Sequence, residues 1–501
     1  MALGQTRNSV MAVMVESVEG TPVAPSGATS FIALQPDTGM NPAFDSLQNE
    51  ELRGSIGQAK AIQGIERPEG GFPHYLKHSG TEGEAPEIHE LLKAAFGSAT
   101  VNSTERTTTT SSTVSVLKLG AGGSDFSRGF AGLIKDGTNG YSIRPFHSVS
   151  SNDITLGFNL ANAPATGVNI GKCINYSPTN TGHQSLSFHR YDGNGHLYQL
   201  IAGGKVTEFN FTAPAGEFVN ANFSYAGTKY FFNPIYIAAT DTKLDFNDGS
   251  DDFAATVTAK WYRDPHELAQ AIQDSMNAQG AADEYTVTFD DSTGKFTIVT
   301  DGSTLSLLWN TGSNTSNTIG DKIGFSVAAD DTSATTYTSD NALSYAAPYT
   351  PTYDSSDPLA AKNHEVLLGD ADDNATMDPR SVTFTMSNER TEVTSVAAES
   401  GIYSNIFTGR TVTVSIQALI QKHDADKFRR FRENEETRFC YNFGSKSGGN
   451  WVAGKCGCLY IPTCTISSFQ VVDLDRVIGI DMELTAFVDS SGNGEVYLNF
   501  L

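Results

Sequence analysis

The chain has 501 residues, 18% of them charged, and carries a formal net charge of −24 at pH 7. This acidic excess argues against a nucleic-acid-binding surface, because phosphate binding needs clustered Lys and Arg. It suits a soluble protein that must not self-associate, and equally a surface that lets a polyanion pass without sticking. The length allows two or three domains, and the many Gly, Ser, Thr, Asn and Asp residues favour short strands over helical bundles.

The N-terminal region is predicted to be an extended arm followed by a strand at residues 30–35. Residues 1–10 lack the apolar run of a signal peptide, and no segment is long enough to span a membrane. We therefore expect no membrane insertion.

A polar stretch at residues 48–77 contains several glycines and few large apolar residues. It is either a flexible surface loop or a long hairpin whose contacts lie outside its own core. A strand pair this hydrophilic gains little from burial in its own domain, so the second interpretation predicts contacts with a neighbouring subunit. The candidates for these subunit contacts are Arg53, Arg67, Glu51 and Glu66.

A first helix is predicted between Pro86, in its first turn, and Gly97, just past its end. Its apolar side chains recur at helical spacing and share one face: Ile88, Leu91, Leu92, Ala95 and Phe96. Short strands follow, separated by turn signals such as Asp136-Gly137. Residues 205–225 then form a predicted β-hairpin whose returning strand alternates apolar and polar residues, with one face on a core.

Residues 232–352 change in character and predict a small inserted α/β domain. Asp264 is suited to cap a helix that has Pro265 at its first position and Glu267 completing a capping box. Three strands follow this helix. Prolines border the region at both ends, which suits an insertion at an exposed loop tip. We expect it to have its own core and to project from the outer surface.

The second half repeats features of the first. Asp424 is suited to cap a helix running through Arg432 that would bury Phe428 and Phe431. Residues 465–484 repeat the pattern of the first hairpin, with chance similarity between two hairpins as the alternative to duplication. The apolar positions Val206, Phe209, Phe211, Val219, Ala221, Phe223 and Tyr225 correspond in order to Ile466, Phe469, Val471, Ile478, Ile480, Met482 and Leu484.

We predict no catalytic, cofactor-binding or metal-binding residue, because each candidate motif lacks part of its required pattern. His74 and His78 have a spacing that brings ligands together only on a helix, and Pro73 and the nearby glycines favour an extended segment. Asp370 and Asp372 begin a calcium-loop-like pattern that lacks its glycine and final glutamate. A second acidic cluster near Asp245 leaves weak calcium binding open. No phosphate-binding loop or nucleophile elbow appears, so we expect no enzyme.

The five cysteines are Cys173, Cys440, Cys456, Cys458 and Cys464. The last four crowd together, but their spacing differs from the paired C-x2-C of structural zinc loops. We expect reduced, partly buried thiols in a protein made in the cytoplasm, with a metal site or a disulfide as the alternatives.

With these patterns in view, the chain resembles the tail tube (major tail) proteins of long-tailed, non-contractile-tailed bacteriophages. The segment from residues 51–54 to residues 75–78 is similar to the family's N-terminal hairpin, and residues 409–416 open the corresponding strand set. The resemblance implies a mainly β chain: two tail-tube-like β-barrel or sandwich domains, each with one packed helix, plus the small inserted α/β domain. The expected boundaries are residues 1–231, 232–352 and 353–501.

The implied function is that of a structural virion protein that polymerises into stacked rings, the tail tube through which DNA is delivered. Since rings of this family commonly have six-fold or pseudo-six-fold symmetry, a chain with two tube domains would form trimeric rings, with hexameric rings as the alternative. The expected partners are copies of itself, other tail proteins, and genomic DNA passing through an acidic lumen without specific binding. The expected location is the virion tail, assembled in the host cytoplasm.

Two other functions fit parts of the sequence. A secreted β-rich adhesin or glycan-binding protein would share the strand-rich composition, but the lack of a signal peptide disfavours it. A polysaccharide hydrolase using Asp290 and Asp291 is weaker still, because neighbouring turn aspartates are poorly placed to face each other across a cleft.

Overall fold

The computed structural model describes residues 6–51, 57, 59–281, 283–372, 376–420, 425–489 and 494–501. These residues lie mainly in β-strands, with one α-helix in each half and one in the inserted region, which confirms the predicted fold class. None of the helices in this part of the chain is long and apolar enough to cross a membrane.

Part of the polar stretch at residues 48–77 forms a hairpin, which was the second of its two interpretations. Strands β4 and β5 pair with each other, Phe44 lying opposite Glu66 and Leu47 opposite Ile62. Between them in sequence, residues 52–56 and 58 are outside the described residues. The predicted strand at 30–35 is shorter than expected. The strands are β1 Val10–Val15, β2 Phe31–Ile32, β3 Gly39–Asn41, β4 Phe44–Leu47, β5 Ile62–Glu66 and β6 Glu69–Tyr75.

Helix α1, His89–Phe96, confirms the first predicted helix, and β7, Gly97–Asn102, follows it directly. Leu91, Leu92 and Phe96 are buried on its inner face. Gly97 ends the helix with φ of 96°, a left-handed conformation that glycine adopts without the cost of a Cβ.

A further β unit follows that the sequence did not reveal, and its core is shared with Cys440 and Tyr460 of the second half. Its six strands form one sheet in the order β8-β13-β10-β11-β12-β9, over a core that includes Leu133, Phe146 and Ile154. The predicted turn at Asp136 joins β10 to β11. The strands are β8 Arg106–Thr107, β9 Val116–Lys118, β10 Ala131–Asp136, β11 Gly140–Ser150, β12 Asp153–Leu156 and β13 Asn169–Ile170.

The predicted first hairpin is the end of β16 with β17, and β16 is long enough to pair with different strands along its length. The first part of β16 pairs with β15 and β18, and its second part pairs with β17. The strands are β14 Cys173–Pro178, β15 Leu186–Asp192, β16 Leu197–Pro214, β17 Asn220–Ala226 and β18 Lys229–Phe232.

The inserted region has its own apolar core, in which Leu268, Ile272 and Phe296 are fully buried. The Asp264 carboxylate caps helix α2, Pro265–Asn277, by accepting a hydrogen bond from Glu267 N at 2.9 Å. The strands are β19 Ile235–Tyr236, β20 Lys243–Asn247, β21 Asp252–Thr256, β22 Trp261–Tyr262, β23 Tyr285–Asp290, β24 Lys295–Thr300, β25 Leu305–Leu307, β26 Asp331–Ala334 and β27 Thr336–Thr338.

The second half contains helix α3, Ala425–Glu433, close to the predicted position, although its expected cap, Asp424, is outside the described residues. Phe431 packs against the core, but the prediction that Phe428 is buried is wrong, because its side chain is 49% exposed at the end of the sheet. The strands are β28 Glu365–Gly369, β29 Thr376–Met377, β30 Pro379–Thr394, β31 Ile402–Leu419, β32 Thr437–Ser447, β33 Asn450–Leu474, β34 Val477–Ala486 and β35 Tyr497–Phe500.

Strands from both halves join in a continuous run of eight, in the order β3-β6-β17-β16-β30-β31-β34-β33. The two halves meet where β16 pairs with β30. One apolar core lies under this run and includes Phe209, Phe384 and Met482. Because the core is shared, the division into tube domains at residues 231 and 352 stays a prediction.

The two halves carry the same long hairpin in the same register. Each pair of β3–β6 and β4–β5 has a counterpart in β30–β31 whose two residue numbers are both 344 higher, and a β-bulge interrupts both hairpins at the same place. Examples are Met40–Gly70 with Phe384–Val414, Phe44–Glu66 with Asn388–Arg410, and Leu47–Ile62 with Thr391–Ile406.

The second hairpin is repeated as closely. β16–β17 and β33–β34 show the residue correspondences that the sequence predicted, Phe209–Phe223 matching Phe469–Met482. Each pairing has a bulge at the equivalent residue. There the hydroxyl of Thr207 donates to Ser224 O at 3.2 Å, and that of Ser467 donates to Glu483 O at 3.1 Å.

Candidate assembly surfaces and channel face

The eight-stranded run has one face of hydroxyl, amide and carboxylate side chains. Along each strand, side chains alternate between the shared core and this polar face. The polar face includes Thr383, Thr385, Ser387, Thr411, Thr413, Ser415, Asn210, Thr212, Asn220, Asn222, Ser224, Ser468 and Gln470. A hydrogen bond from Asn210 Nδ2 to Thr385 Oγ1 at 2.8 Å crosses the junction between the two halves.

The charges on this polar face are acidic. The acidic side chains on it include Glu69, Glu208, Asp481 and Glu483. Lys205 stands in the same row as Glu69, across Ala226, but it is buried and its Nζ lies 3.6 Å from the Glu19 carboxylate. Arg390 borders the face where it meets the hairpin, and its charge is paired with Glu392 at 3.0 Å. Such a surface offers a phosphate backbone no cationic partner.

The outer strands of the run leave two edges open. Among the described strands, β3 pairs only with β6, and residues 468–474 of β33 pair only with β34. The corresponding part of β16 has a second partner, β30, and its core-side chains are covered. Phe211 is 1% exposed, whereas its counterpart Val471 is 64% exposed, so the second half lacks the cover that the first half has.

Both long hairpins carry exposed apolar side chains where they project from the body. On the first they are Phe44, Leu47 and Ile62, and on the second Val393, Val396, Tyr403 and Ile406. Ile62 and Ile406 occupy equivalent positions of the repeat. Exposed apolar groups on both hairpins are typical of an interaction surface.

The four predicted subunit-contact residues differ in their surroundings. Glu66 is buried, where its carboxylate pairs with Arg263 at 2.9 Å and accepts a hydrogen bond from Tyr230 N at 2.6 Å. Arg67 is partly exposed and bridges the hairpins, contacting Asp45 of the first and Glu392 of the second, the latter at 2.7 Å. Glu51 is exposed, and Arg53 is outside the described residues. Their role between subunits stays a prediction.

The described histidines and the five cysteines lie in separate surroundings. Burial lowers the pKa of His78 to about 3, since its ring packs between Phe443 and Phe500. All five cysteines are buried free thiols, and burial raises the pKa of Cys464 to about 12. The described residues contain no cluster of three His, Cys, Asp or Glu side chains that could hold a metal ion.

Two polar residues at the base of the second hairpin were not predicted from the sequence. Asn388 is buried and its Nδ2 donates to Ala95 O at 3.0 Å, at the end of α1. Arg410 pairs with Glu495 at 3.3 Å and fixes the hairpin to the chain's last strand region. Asn388 and Arg410 are the counterparts of Phe44 and Glu66 in the 344-residue repeat. Recognition of that repeat in the sequence would have pointed to them.

Residues 6–260, slightly more than half of the chain, match the family model described as phage tail tube protein. The match continues past residue 232, where the sequence places the start of the inserted region. No curated protein matches the chain.

Proposed function

Because the chain belongs to the phage tail tube protein family, and is thus a structural protein of a virion tail, we propose that it polymerises into stacked rings that form the tail tube. Assembly takes place in the host cytoplasm, and the finished tube conducts DNA. The observation that carries this proposal is the repeated register: one chain holds two sets of four strands built to the same pattern.

Three copies complete a ring in this proposal. Each chain supplies two equivalent strand sets, so three chains present the six sets expected of a pseudo-six-fold ring. A hexamer, the alternative, would present twelve. The pairing of β16 with β30 supports the trimer, because it joins two sets side by side within one chain.

The polar face of the eight-stranded run lines the channel in this proposal. Its carboxylates let a DNA duplex slide, since each neutralised phosphate would add affinity, and the nearby cations Lys205 and Arg390 are already paired with Glu19 and Glu392. The apolar groups on both hairpins contact the next ring or the next subunit. The predicted contact residues Arg53, Arg67, Glu51 and Glu66 take part in the same contacts. The exposed Phe44 and Ile406 support this role.

Electron microscopy of the purified protein tests the proposal, together with the mass of the smallest ring. With a chain mass of 53.6 kDa, a trimer has three times and a hexamer six times that mass. We expect hollow rods or rings and a smallest closed species of three chains. A protein that stays monomeric under all conditions that polymerise tail proteins would contradict the proposal and favour the adhesin alternative.

A further inference from the structure

Within one chain, β16 of the first half pairs with β30 of the second half. The repeat contains an equivalent pair of segments that do not pair with each other within the chain. Residues 208–212 of β16 pair with residues 383–387 of β30. By the two repeats, the counterpart of the first segment is residues 468–472 of β33, here named the β33 edge. The counterpart of the second is residues 39–43, here named the β3 edge. Each edge has one partner strand and lacks a second one among the described strands.

We infer that the β33 edge of one copy pairs antiparallel with the β3 edge of the next copy, in the register of the internal junction. This inference rests on the proposed function, and it specifies how the ring closes. The expected pairs follow when each residue of the internal junction is replaced by its counterpart in the repeat. Phe211–Phe384 corresponds to Val471–Met40, Asn210–Thr385 to Gln470–Asn41, and Phe209–Met386 to Phe469–Pro42.

The side chains on both faces suit this register. Within the chain, the ring of Phe384 packs against Phe211 at 5.6 Å between centroids, on the core side. Its counterpart Met40 meets Val471, whose exposure would end on contact. On the polar face, Gln470 and Asn41 take the places of Asn210 and Thr385 and are both exposed polar residues able to hydrogen-bond.

The junction between copies differs from the internal one in charge. Inside the chain, Arg67 and Glu392 form an ion pair between the two hairpins. At the junction between copies their counterparts are Thr411 and Gln48, which carry no charge. Ring closure therefore depends on backbone pairing and apolar contact, and added salt should leave it intact.

Pro42 removes one hydrogen-bond donor from the open side of the β3 edge. Arg67 N donates to Ala43 O at 2.7 Å, so the backbone groups of Ala43 point into the chain. Because these groups alternate along a strand, those of Met40 and Pro42 point to the open side. Pro42 has no N–H, whereas its counterpart Met386 has one, so this edge offers one donor fewer to any passing strand.

Disulfide trapping with the single variants Asn41→Cys and Gln470→Cys tests the register. Asn41 and Gln470 face each other at a non-hydrogen-bonded position of the inferred pairing, where opposed side chains are closest. An equimolar mixture of the two variants, assembled and then oxidised, should give cross-linked dimers on a non-reducing gel. Either variant alone, and the wild type with its five buried thiols, should give none.

The shifted pair Asn41→Cys with Ser468→Cys distinguishes this register from a slip by two residues. Rings that cross-link through the shifted pair, or through neither pair, would overturn the inference and leave the proposed function standing. If the wild type forms no rings at all, the proposed function itself fails.

Val471→Lys provides a second measurement that needs no cross-link. The substitution places a charge on an exposed side chain, so the monomer should stay folded by circular dichroism while ring formation is lost. Val101→Lys, on an exposed valine of β7 away from both edges, is the matched control and should assemble. Normal rings from Val471→Lys would contradict the inference.

Discussion

Glu66 and Arg67 are adjacent in sequence but belong to different interactions. The Glu66 carboxylate is buried against Arg263 of the inserted region, 197 residues away in sequence. Arg67 lies between the two hairpins. Glu66 ends strand β5 and Arg67 lies just beyond it, and the sequence could not show which of them has a buried partner.

Replacing Arg263 should destabilise the protein strongly. Arg263→Met leaves the Glu66 carboxylate buried without its cation, and removal of one partner of such a pair costs about 3–5 kcal/mol. The free energy of unfolding from urea titration, followed by tryptophan fluorescence, measures this loss. Arg432→Met is the control, since Arg432 is mostly exposed and its substitution should change stability by less than about 0.5 kcal/mol. Equal effects of the two substitutions would contradict the prediction.

Acid should destabilise the fold partly through His78. His364 and Asp354 are the titratable groups that act on it, and burial lowers its pKa to about 3. Below the ordinary histidine pKa of about 6.5, the unfolded chain takes up a proton that the folded chain excludes, so stability is present above that pH and is lost as pH falls.

His78→Phe keeps the aromatic packing and removes this titration. We expect the drop in urea midpoint between pH 7 and pH 4.5 to be smaller in this variant than in the wild type. His266→Phe, at an exposed position beside Asp291, serves as the comparison and should keep the wild-type drop. If both variants lose stability equally on acidification, His78 does not contribute.

At the scale of elements, the periodicity of apolar residues predicted those helices and hairpins that are formed by contiguous residues. Helix α1 and the hairpins at 205–225 and 465–484 follow from apolar spacing and end signals in contiguous residues. The pairing of β16 with β30 depends on residues more than 160 positions apart, which no local pattern encodes. Exposure of Phe428 was missed for a related reason: an amphipathic pattern predicts a face, but not what covers it.

The polar hairpin is the element on which assembly can be tested most directly. In the double variant Arg53→Glu with Arg67→Glu, residue 67 would meet the carboxylates of Asp45 and Glu392, and the resulting repulsion separates the hairpins. We expect a folded monomer with impaired polymerisation, measured by circular dichroism and by sedimentation of polymer.

Arg432→Glu is a matched control for this double variant, because it reverses an exposed charge on α3. Normal tubes from the double variant would count against a contact role for the hairpin. Loss of the monomer fold would also count against it, since the intrachain contacts of Arg67 would then explain the effect.

At the scale of the whole molecule, some of the acidic side chains behind the net charge of −24 lie together on the polar face. Composition alone could not separate a general solubility charge from a surface built to pass a polyanion. The strand alternation places acidic side chains of both halves on one polar face, which the sequence could have shown only once the eight strands were ordered.

Reversing charge on this polar face should change how the tube treats DNA. Glu208→Lys with Glu483→Lys adds two cations per chain at positions that make no buried contact. We expect tubes of normal shape that bind duplex DNA at low salt and release it as salt rises, because counterion release governs such binding. Fluorescence anisotropy of labelled DNA measures this. Unchanged DNA binding by intact tubes would show that the face does not line the channel.

Deleting the inserted region tests whether it is an autonomous outer domain. The inserted region has its own core, but two contacts join it to the first half: Trp261 Nε1 donates to Pro22 O at 3.0 Å, and Arg263 pairs with Glu66. A deletion variant must therefore compensate for the loss of the Arg263 charge beside Glu66. Asn233 should be kept, because its Oδ1 accepts a hydrogen bond from Tyr198 N at 2.9 Å.

We therefore replace residues 234–351 with a Gly/Ser linker and combine the deletion with Glu66→Gln, which removes the charge that Arg263 no longer balances. The expected result is a folded chain that still forms tubes of reduced outer diameter, seen by electron microscopy. The same deletion with Glu66 unchanged is the control, and it should fold less stably by urea titration while forming the same tubes. A folded double variant that cannot polymerise would place the inserted region in the ring contacts, where its links to Glu66 and Glu399 would hold both hairpins in position for the neighbouring ring.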